Sequence, residues 1–234
     1  NAAGPGRLAA GLAARGVPLI HVSTDYVFDG AKPAPYVEDD PINPLNVYGA
    51  SKAAGEAAVR AANPRHLILR TSWVYGPTGA NFVKTMRRLG REREELGIVA
   101  DQRGAPTAAA DLAAVILALA SATADRRGAD QQGLWGTLHV AGTGETTWFD
   151  FAMRIFDHMA RTEGRRPALR PLSAAEYPTP ARRPANSRLD CARLRAVFGL
   201  ATPPWEESLE RTLDALDALE GLATPPGCLT EKNR

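Results

Sequence analysis

Short apolar runs alternate with helix-like segments along most of this chain, and that alternation restricts the fold more than any other feature. Residues 18–23 form a mostly apolar, partly β-branched run, preceded by a helix-like stretch over 8–15 and the stop signal Gly16. A helical stretch then runs from Asn46 and Tyr48 through Val59 until Asn63-Pro64 ends it. Residues 66–71 read as a buried strand, 81–94 as an amphipathic helix, 96–100 as another strand-like run, 112–122 as a buried Ala-rich helix and 137–140 as a strand. Thr146 reads as the N-cap of a helix whose stripe of Trp148, Phe149, Ala152, Ile155, Phe156 and Met159 belongs to the core. Ser173 and Glu176 fit a capping box for a short helix, and Thr202-Pro203-Pro204-Trp205-Glu206 opens the last long one. Apolar strands separated by helices predict an α/β fold built on a parallel sheet.

Composition narrows the function classes. With 234 residues and 44% hydrophobic content, the chain can bury a core as one large or two small domains. A net charge of +2 gives no basis for nucleic-acid or membrane-surface binding, and the Arg87-Arg88, Arg165-Arg166 and Arg182-Arg183 pairs read by default as solvated surface. The longest apolar stretch, 112–122, is too short to span a bilayer, and no signal peptide is visible. Cys191 and Cys228 lie near no second Cys or His at ligand spacing, so neither a metal site nor a disulfide is expected, and a reducing cytoplasm is the simplest setting. The four histidines carry no metal spacing either; His21, His66 and His139 sit in strand patterns. The Pro-rich stretches 178–184 and 224–227 read as a loop and a tail.

Chemistry concentrates in Tyr48-Gly49-Ala50-Ser51-Lys52, which puts a phenol and an ammonium on one helix face, one turn apart. An ammonium held beside a phenol favours the phenolate, moving a pKa that is about 10 unperturbed toward neutrality. Upstream, the run Ser23-Thr24-Asp25-Tyr26 leaves Thr24 at the carboxyl end of the first strand, the edge where open α/β sheets bind ligands. Thr24, Tyr48 and Lys52 are together the equipment of a carbonyl-reducing or alcohol-oxidising site. The Tyr and Lys spacing alone is common on helices, so the weight falls on the surrounding sequence.

That sequence supplies it. Val22-Ser23-Thr24-Asp25-Tyr26-Val27-Phe28-Asp29-Gly30, then Tyr36, Glu38, Pro44 to Gly49, Ser51-Lys52 and Gly55-Glu56, resembles the dTDP-4-dehydrorhamnose reductases, extended members of the short-chain dehydrogenase/reductase superfamily. The likeness continues in order through Arg70-Thr71-Ser72-Trp73-Val74-Tyr75-Gly76, Asn81-Phe82-Val83-Lys84-Thr85-Met86, Asp101 to Thr107, His139-Val140-Ala141-Gly142, Trp148, Phe151-Ala152 and Ala181 to Ser187, about residues 1–220 in all. The resemblance implies a partial Rossmann-type doubly wound parallel sheet with a smaller C-terminal substrate-binding α/β subdomain. Residues 1–136 are expected on the cofactor side, with substrate segments interleaved from about 75; 137–220 are expected mainly on the substrate side, and 221–234 as a tail. No Gly-rich pyrophosphate turn occurs, so about three strand-helix units of the nucleotide-binding half are expected to be missing, and this piece alone to bind NADPH or NADH poorly.

The same resemblance implies roles. Tyr48 is the general acid for the 4-keto oxygen; Lys52 supports the phenolate and the nicotinamide ribose; Thr24 donates to the same carbonyl oxygen; Ser23 adjoins the cofactor. Asp25, Tyr26, Trp73, Asn81, Phe82 and Arg182 are expected to contact the nucleotide sugar, with Trp73 packing on the deoxysugar ring and Arg182 on the diphosphate; Arg183 and Asn186 share the Arg182 segment. Implied partners are NADPH or NADH, a nucleotide-sugar substrate and, in a possible homodimer, an interfacial Mg2+. The alternatives are another nucleotide-sugar reductase or epimerase of the superfamily, or a non-catalytic relative resembling the regulatory subunit of methionine adenosyltransferase. The intact Arg70-Thr71-Ser72-Trp73 and Asp101-Gln102 segments argue for the reductase.

Overall fold

A computed structural model of the protein describes residues 1–124 and 133–221; Cys228 and the 224–227 stretch lie outside them. Helix α1 (Ala3–Ala13) begins five residues before the expected stretch. It takes Gly4-Pro5-Gly6 into its opening turn, where a proline costs no intrahelical hydrogen bond. Strand β1 (Leu19–Thr24), helix α2 (Val47–Ala62) and strand β2 (His66–Thr71) follow as expected. Next come β3 (Val74–Tyr75), α3 (Phe82–Glu92), β4 (Glu95–Val99), β5 (Arg103–Gly104), β6 (Thr107–Ala108), α4 (Ala109–Ala124) and β7 (Gly136–His139). The chain continues through β8 (Thr146–Thr147), α5 (Trp148–Thr162), β9 (Ala168–Leu172), α6 (Ala192–Phe198) and α7 (Trp205–Glu220).

The main sheet is parallel, in the order β1-β2-β7. Every residue of the central β2 is buried: Leu67-Ile68-Leu69 supply its apolar run, and Arg70 is buried paired with Glu56 at 2.8 Å. One side of this layer packs through Ala9, Leu19, Val59 and Ile68, which join α1 and α2 to the sheet. The other packs through Leu67, Leu69, Leu112, Leu119, Leu138 and Leu194, which bring in α4 and α6. A second core joins α3, β4, α5 and α7 around Val83, Ile98, Phe151, Ile155, Phe156, Trp205 and Leu213. The two halves interleave: β7 completes the main sheet and Leu194 of α6 packs on it, although both follow residue 135.

Five features depart from expectation. Strand β4 pairs in parallel with β9, whose Pro171 a two-stranded sheet accommodates because each strand has a free edge. The pairs β3-β6 and β5-β8 are two residues long, the latter antiparallel, too short to leave a period in sequence. Thr147, not Thr146, caps α5, its hydroxyl accepting from the Asp150 amide at 3.0 Å, and both threonines pair with β5, opposite Arg103 and Gly104. The Ser173 box forms only in part: the Ser173 amide and hydroxyl both donate to the Glu176 carboxylate at 2.8 Å, but the Glu176 amide donates to the Ser173 carbonyl rather than its hydroxyl, closing only a turn. Pro178 and Pro180 follow too closely for a helix to propagate. Helix α6 and its left-handed Gly199 terminus carried no recognised signal.

Candidate active site

The site is built where β1 ends and α2 begins. Thr24 closes β1 and caps a single 3-10 turn over Asp25–Val27: its hydroxyl accepts from the Tyr26 amide at 3.3 Å and donates to Asp25 Oδ1 at 3.0 Å. Asn46 caps α2, accepting from the Gly49 amide at 2.8 Å. Gly49 sits directly on the turn after Thr24, where a Cβ would lie 2.1 Å from the Tyr26 carbonyl oxygen, so only glycine lets the two backbones meet. Tyr48, in the first turn, is 49% exposed and meets the Tyr26 ring edge-on at 5.9 Å. One turn further, Lys52 donates from Nζ to the Val22 carbonyl at 2.6 Å. Thr24, Tyr48 and Lys52 thus converge on the carboxyl edge of the sheet.

A buried ionic network underlies this edge. Glu56, fully buried, accepts from the Ser23 hydroxyl at 2.6 Å, from Arg70 Nε at 3.0 Å and Nη2 at 2.8 Å, and from Arg60 at 2.8 Å. Ser23 therefore commits its hydroxyl proton to Glu56. Partial burial lowers the pKa of Lys52, while the Glu56 carboxylate one turn away opposes the shift. Asp25, expected at the sugar, is instead only 3% exposed and turned toward Thr24 and Ser187 by the 3-10 turn. Burial pushes its pKa up to about 6 against the Ser187 and Thr24 hydroxyls, and its Oδ2 has no hydrogen-bond partner among the described residues. Burial and the neighbouring Asp25 also raise the pKa of Tyr26, with Arg183 opposing.

A groove of about 770 Å3 opens beside Tyr26, walled by Phe82 and Trp148 and reaching Gln102, Tyr177 and Arg183. Phe82 contributes its ring, tilted on Trp148 at 4.6 Å. Asn81 spends its amide capping α3, accepting from the Lys84 amide at 3.2 Å and donating to the Gly76 carbonyl at 2.8 Å. Arg182 is exposed in the adjoining cleft, and its carbonyl, held by Asn46 Nδ2 at 2.9 Å, ties this loop to the start of α2. Asn186 is saturated, bonding the Lys32 and Ala34 carbonyls and the Arg188 amide and guanidinium, which makes it a loop clamp. Trp148, read from sequence as core, lines the groove: at the first turn of α5 the apolar stripe runs past the end of the core. Gln102 falls in the Asp101 to Thr107 family segment without a role assigned to it, and Tyr177 gave no sequence signal. Among the described residues no group of His, Cys, Asp and Glu is arranged to hold a metal, and no helix is long and apolar enough to cross a membrane.

A phenol and an ammonium one turn apart at a helix start, beside a strand end at the carboxyl edge of a parallel sheet, match the arrangement expected of a short-chain dehydrogenase/reductase. The family model described as the RmlD substrate binding domain matches residues 1–218. The dTDP-4-dehydrorhamnose reductase of Sinorhizobium fredii is 51% identical over 221 residues, covering 94% of this chain and 73% of that protein. The Escherichia coli K12 enzyme of the same name is 46% identical over 201 residues, covering 85% and 65%. A solved dTDP-4-dehydrorhamnose reductase from Bacillus anthracis, in complex with NADP, superposes with a TM-score of 0.82 at 42% identity, covering 92% of this chain and 72% of that one. The chain belongs to the dTDP-4-dehydrorhamnose reductase family.

Proposed function

We propose that the intact protein uses NADPH or NADH to reduce the 4-keto group of dTDP-4-dehydro-L-rhamnose, giving dTDP-L-rhamnose. The observation that carries this reading is the convergence of Thr24, Tyr48 and Lys52 on one sheet edge, at the mouth of a groove that begins at Tyr26. When bound, the dinucleotide supplies hydride to the carbonyl carbon. The residues present fit its nicotinamide end: the half-exposed Tyr48 and the Lys52 ammonium, anchored at Val22, stand where a ribose hydroxyl and a reacting carbonyl both find donors. Tyr48 gives its phenolic proton to the carbonyl oxygen as the alkoxide forms, and Lys52 stabilises the phenolate left behind. Thr24 is the second donor to that oxygen. Its proton, directed at Asp25 Oδ1 in this structure, has to turn to reach the substrate.

The nucleotide diphosphate meets Arg182, with Arg183 beside it on the groove wall, and Tyr26 and Phe82 flank the sugar. Residues 1–136 then serve mainly the cofactor and 137–220 mainly the substrate, with α3 and β4 on the substrate side. A cytoplasmic homodimer belongs to the same reading. An interfacial Mg2+ would need ligands from both copies, and no step of the reaction runs through it. Product analysis tests the assignment: the intact protein should form dTDP-L-rhamnose from the 4-keto sugar only when reduced nicotinamide is supplied. An epimerised 4-keto sugar as the product would instead indicate another member of the superfamily.

A further inference from the structure

Tyr48, Lys52 and Glu56 follow one another at single-turn spacing and form one stripe of α2. Tyr48 is half-exposed, whereas Glu56 has no exposure at all. Arg70 satisfies this carboxylate almost by itself, with Nε on one oxygen at 3.0 Å and Nη2 on the other at 2.8 Å. The guanidinium is in turn fixed independently of α2: it donates to the Glu38 carbonyl at 3.2 Å and lies 5.0 Å over the Phe28 ring. Glu56 therefore takes its place from β2 and from residues 28–38. The 2.6 Å bond that it accepts from the Ser23 hydroxyl is not needed to pair its charge.

That surplus bond falls where the β1-β2 ladder stops. Ser23 stands opposite Arg70, and the pair Thr24 and Thr71 closes the ladder. Glu56 thus clamps a cross-strand pair, Ser23 and Arg70, one residue before β1 gives way to the 3-10 turn. Beyond Thr71 the partner strand leads to Trp73, which is partly exposed and stacked on Trp148 at 3.5 Å, so β2 serves the groove as well as the clamp. On either side of Ser23 are the groups that the reaction uses: the Val22 carbonyl anchors Lys52 at 2.6 Å, and Thr24 carries the second donor. We propose that Glu56 is a positioning residue for the reduction. Through Ser23 it fixes where Val22 and Thr24 stand against α2, and so how the Tyr48 phenol and the Lys52 ammonium are spaced from the carbonyl that Thr24 also meets. Glu56 itself touches neither substrate nor dinucleotide. Arg60 reaches Glu56 at 2.8 Å and Thr137 at 2.9 Å from the solvent side and takes no part in the clamp.

The inference rests on the functional reading above, and its test falls on Ser23, because Glu56→Ala would strand the buried Arg70 charge and endanger the fold. Ser23→Ala removes the clamp and leaves Glu56 paired with both arginines. In steady-state turnover of the intact protein kcat should fall roughly tenfold, since about 1 Å of misplacement can cost about 100-fold, while KM for the sugar and Kd for NADPH change by less than about twofold. Ser23→Thr, which keeps the hydroxyl, should recover most of the loss, and Arg60→Gln should hold kcat within about twofold of the wild type. Amide hydrogen exchange over residues 22–26, read without turnover, should quicken in Ser23→Ala and not in Arg60→Gln. An unchanged kcat in Ser23→Ala, or a fall matched by an equal loss of NADPH affinity, would overturn the proposal and leave the functional reading intact. Unaltered exchange in Ser23→Ala would overturn the clamp whether or not the enzyme turns over. A wild type without sugar-dependent turnover would instead overturn the functional reading.

Discussion

The catalytic edge and the groove wall are assembled differently. At the edge, Thr24, Tyr48 and Lys52 come from two consecutive elements, fixed by main-chain contact at Gly49 and by a carboxylate with no exposure to water, Glu56. At the groove, Tyr26, Phe82, Gln102, Trp148, Tyr177 and Arg183 come from well-separated segments, held by ring stacking. Behind the groove, α3, α5 and α7 are joined by Arg91, which pairs with Glu163 at 2.7 Å and Glu220 at 2.5 Å near the surface. The edge uses few parts that admit little displacement, whereas the wall uses many parts from distant segments, backed by the buried Arg87, which pairs with Asp217 at 2.6 Å. Chemistry demands the former, because a proton must pass between fixed atoms. Substrate selection is served by the latter.

Substitutions can break this contrast, starting with the largest effect. Tyr48→Phe should lower kcat by about 10²- to 10⁴-fold in steady-state turnover while dinucleotide affinity holds, because the ring and its contact with Tyr26 remain. Glu56→Ala leaves the Arg70 guanidinium buried without its carboxylate and should cost about 3–5 kcal/mol in denaturant unfolding. Removing Arg91 from the half-open network behind the groove should cost only about 1 kcal/mol or less. An equal loss for the two would erase the distinction between edge and wall.

Asp25 sharpens the comparison through pH. Its pKa is raised from 3.8 to about 6, so the fold favours the protonated acid. That contribution is fully present below about pH 3.8 and is lost as pH rises through 6. Each tenfold gain in proton affinity on folding is worth about 1.4 kcal/mol, so Asp25→Asn should stabilise the protein at pH 8 by up to about 3 kcal/mol, and by nothing near pH 3.5. Thermal unfolding at the two pH values measures the difference, and a gain that is independent of pH would contradict it. The smallest effect belongs to Arg88→Ala, whose pair with Glu92 at 2.7 Å is solvent-exposed on both sides and should be worth about 0.5 kcal/mol or less.

The edge is legible in the sequence because its determinants are local. Strand, turn and helix follow one another, and the Tyr48 and Lys52 spacing maps directly onto one helix face. Even so, the sequence puts Asp25 at the sugar where the 3-10 turn rotates it inward, since a run of polar residues does not announce which of them the backbone will bury. The wall is legible only in part. Phe82, Trp148 and Arg182 all fall in the family pattern, but Trp148 also lies in register with the core stripe of α5, and periodicity cannot show where that core ends. Strands β5, β8 and β9 escape for a related reason: two-residue ladders have no period, and Pro171 argues against a strand unless its edge is free.

The most direct test follows nicotinamide absorbance when the intact protein meets NADPH with and without dTDP-4-dehydro-L-rhamnose, alongside Tyr48→Phe. Oxidation that requires the sugar and nearly vanishes in the variant is the predicted result. Oxidation that ignores the sugar, or that survives the loss of the phenol, would contradict the assignment of this edge as the site of carbonyl reduction.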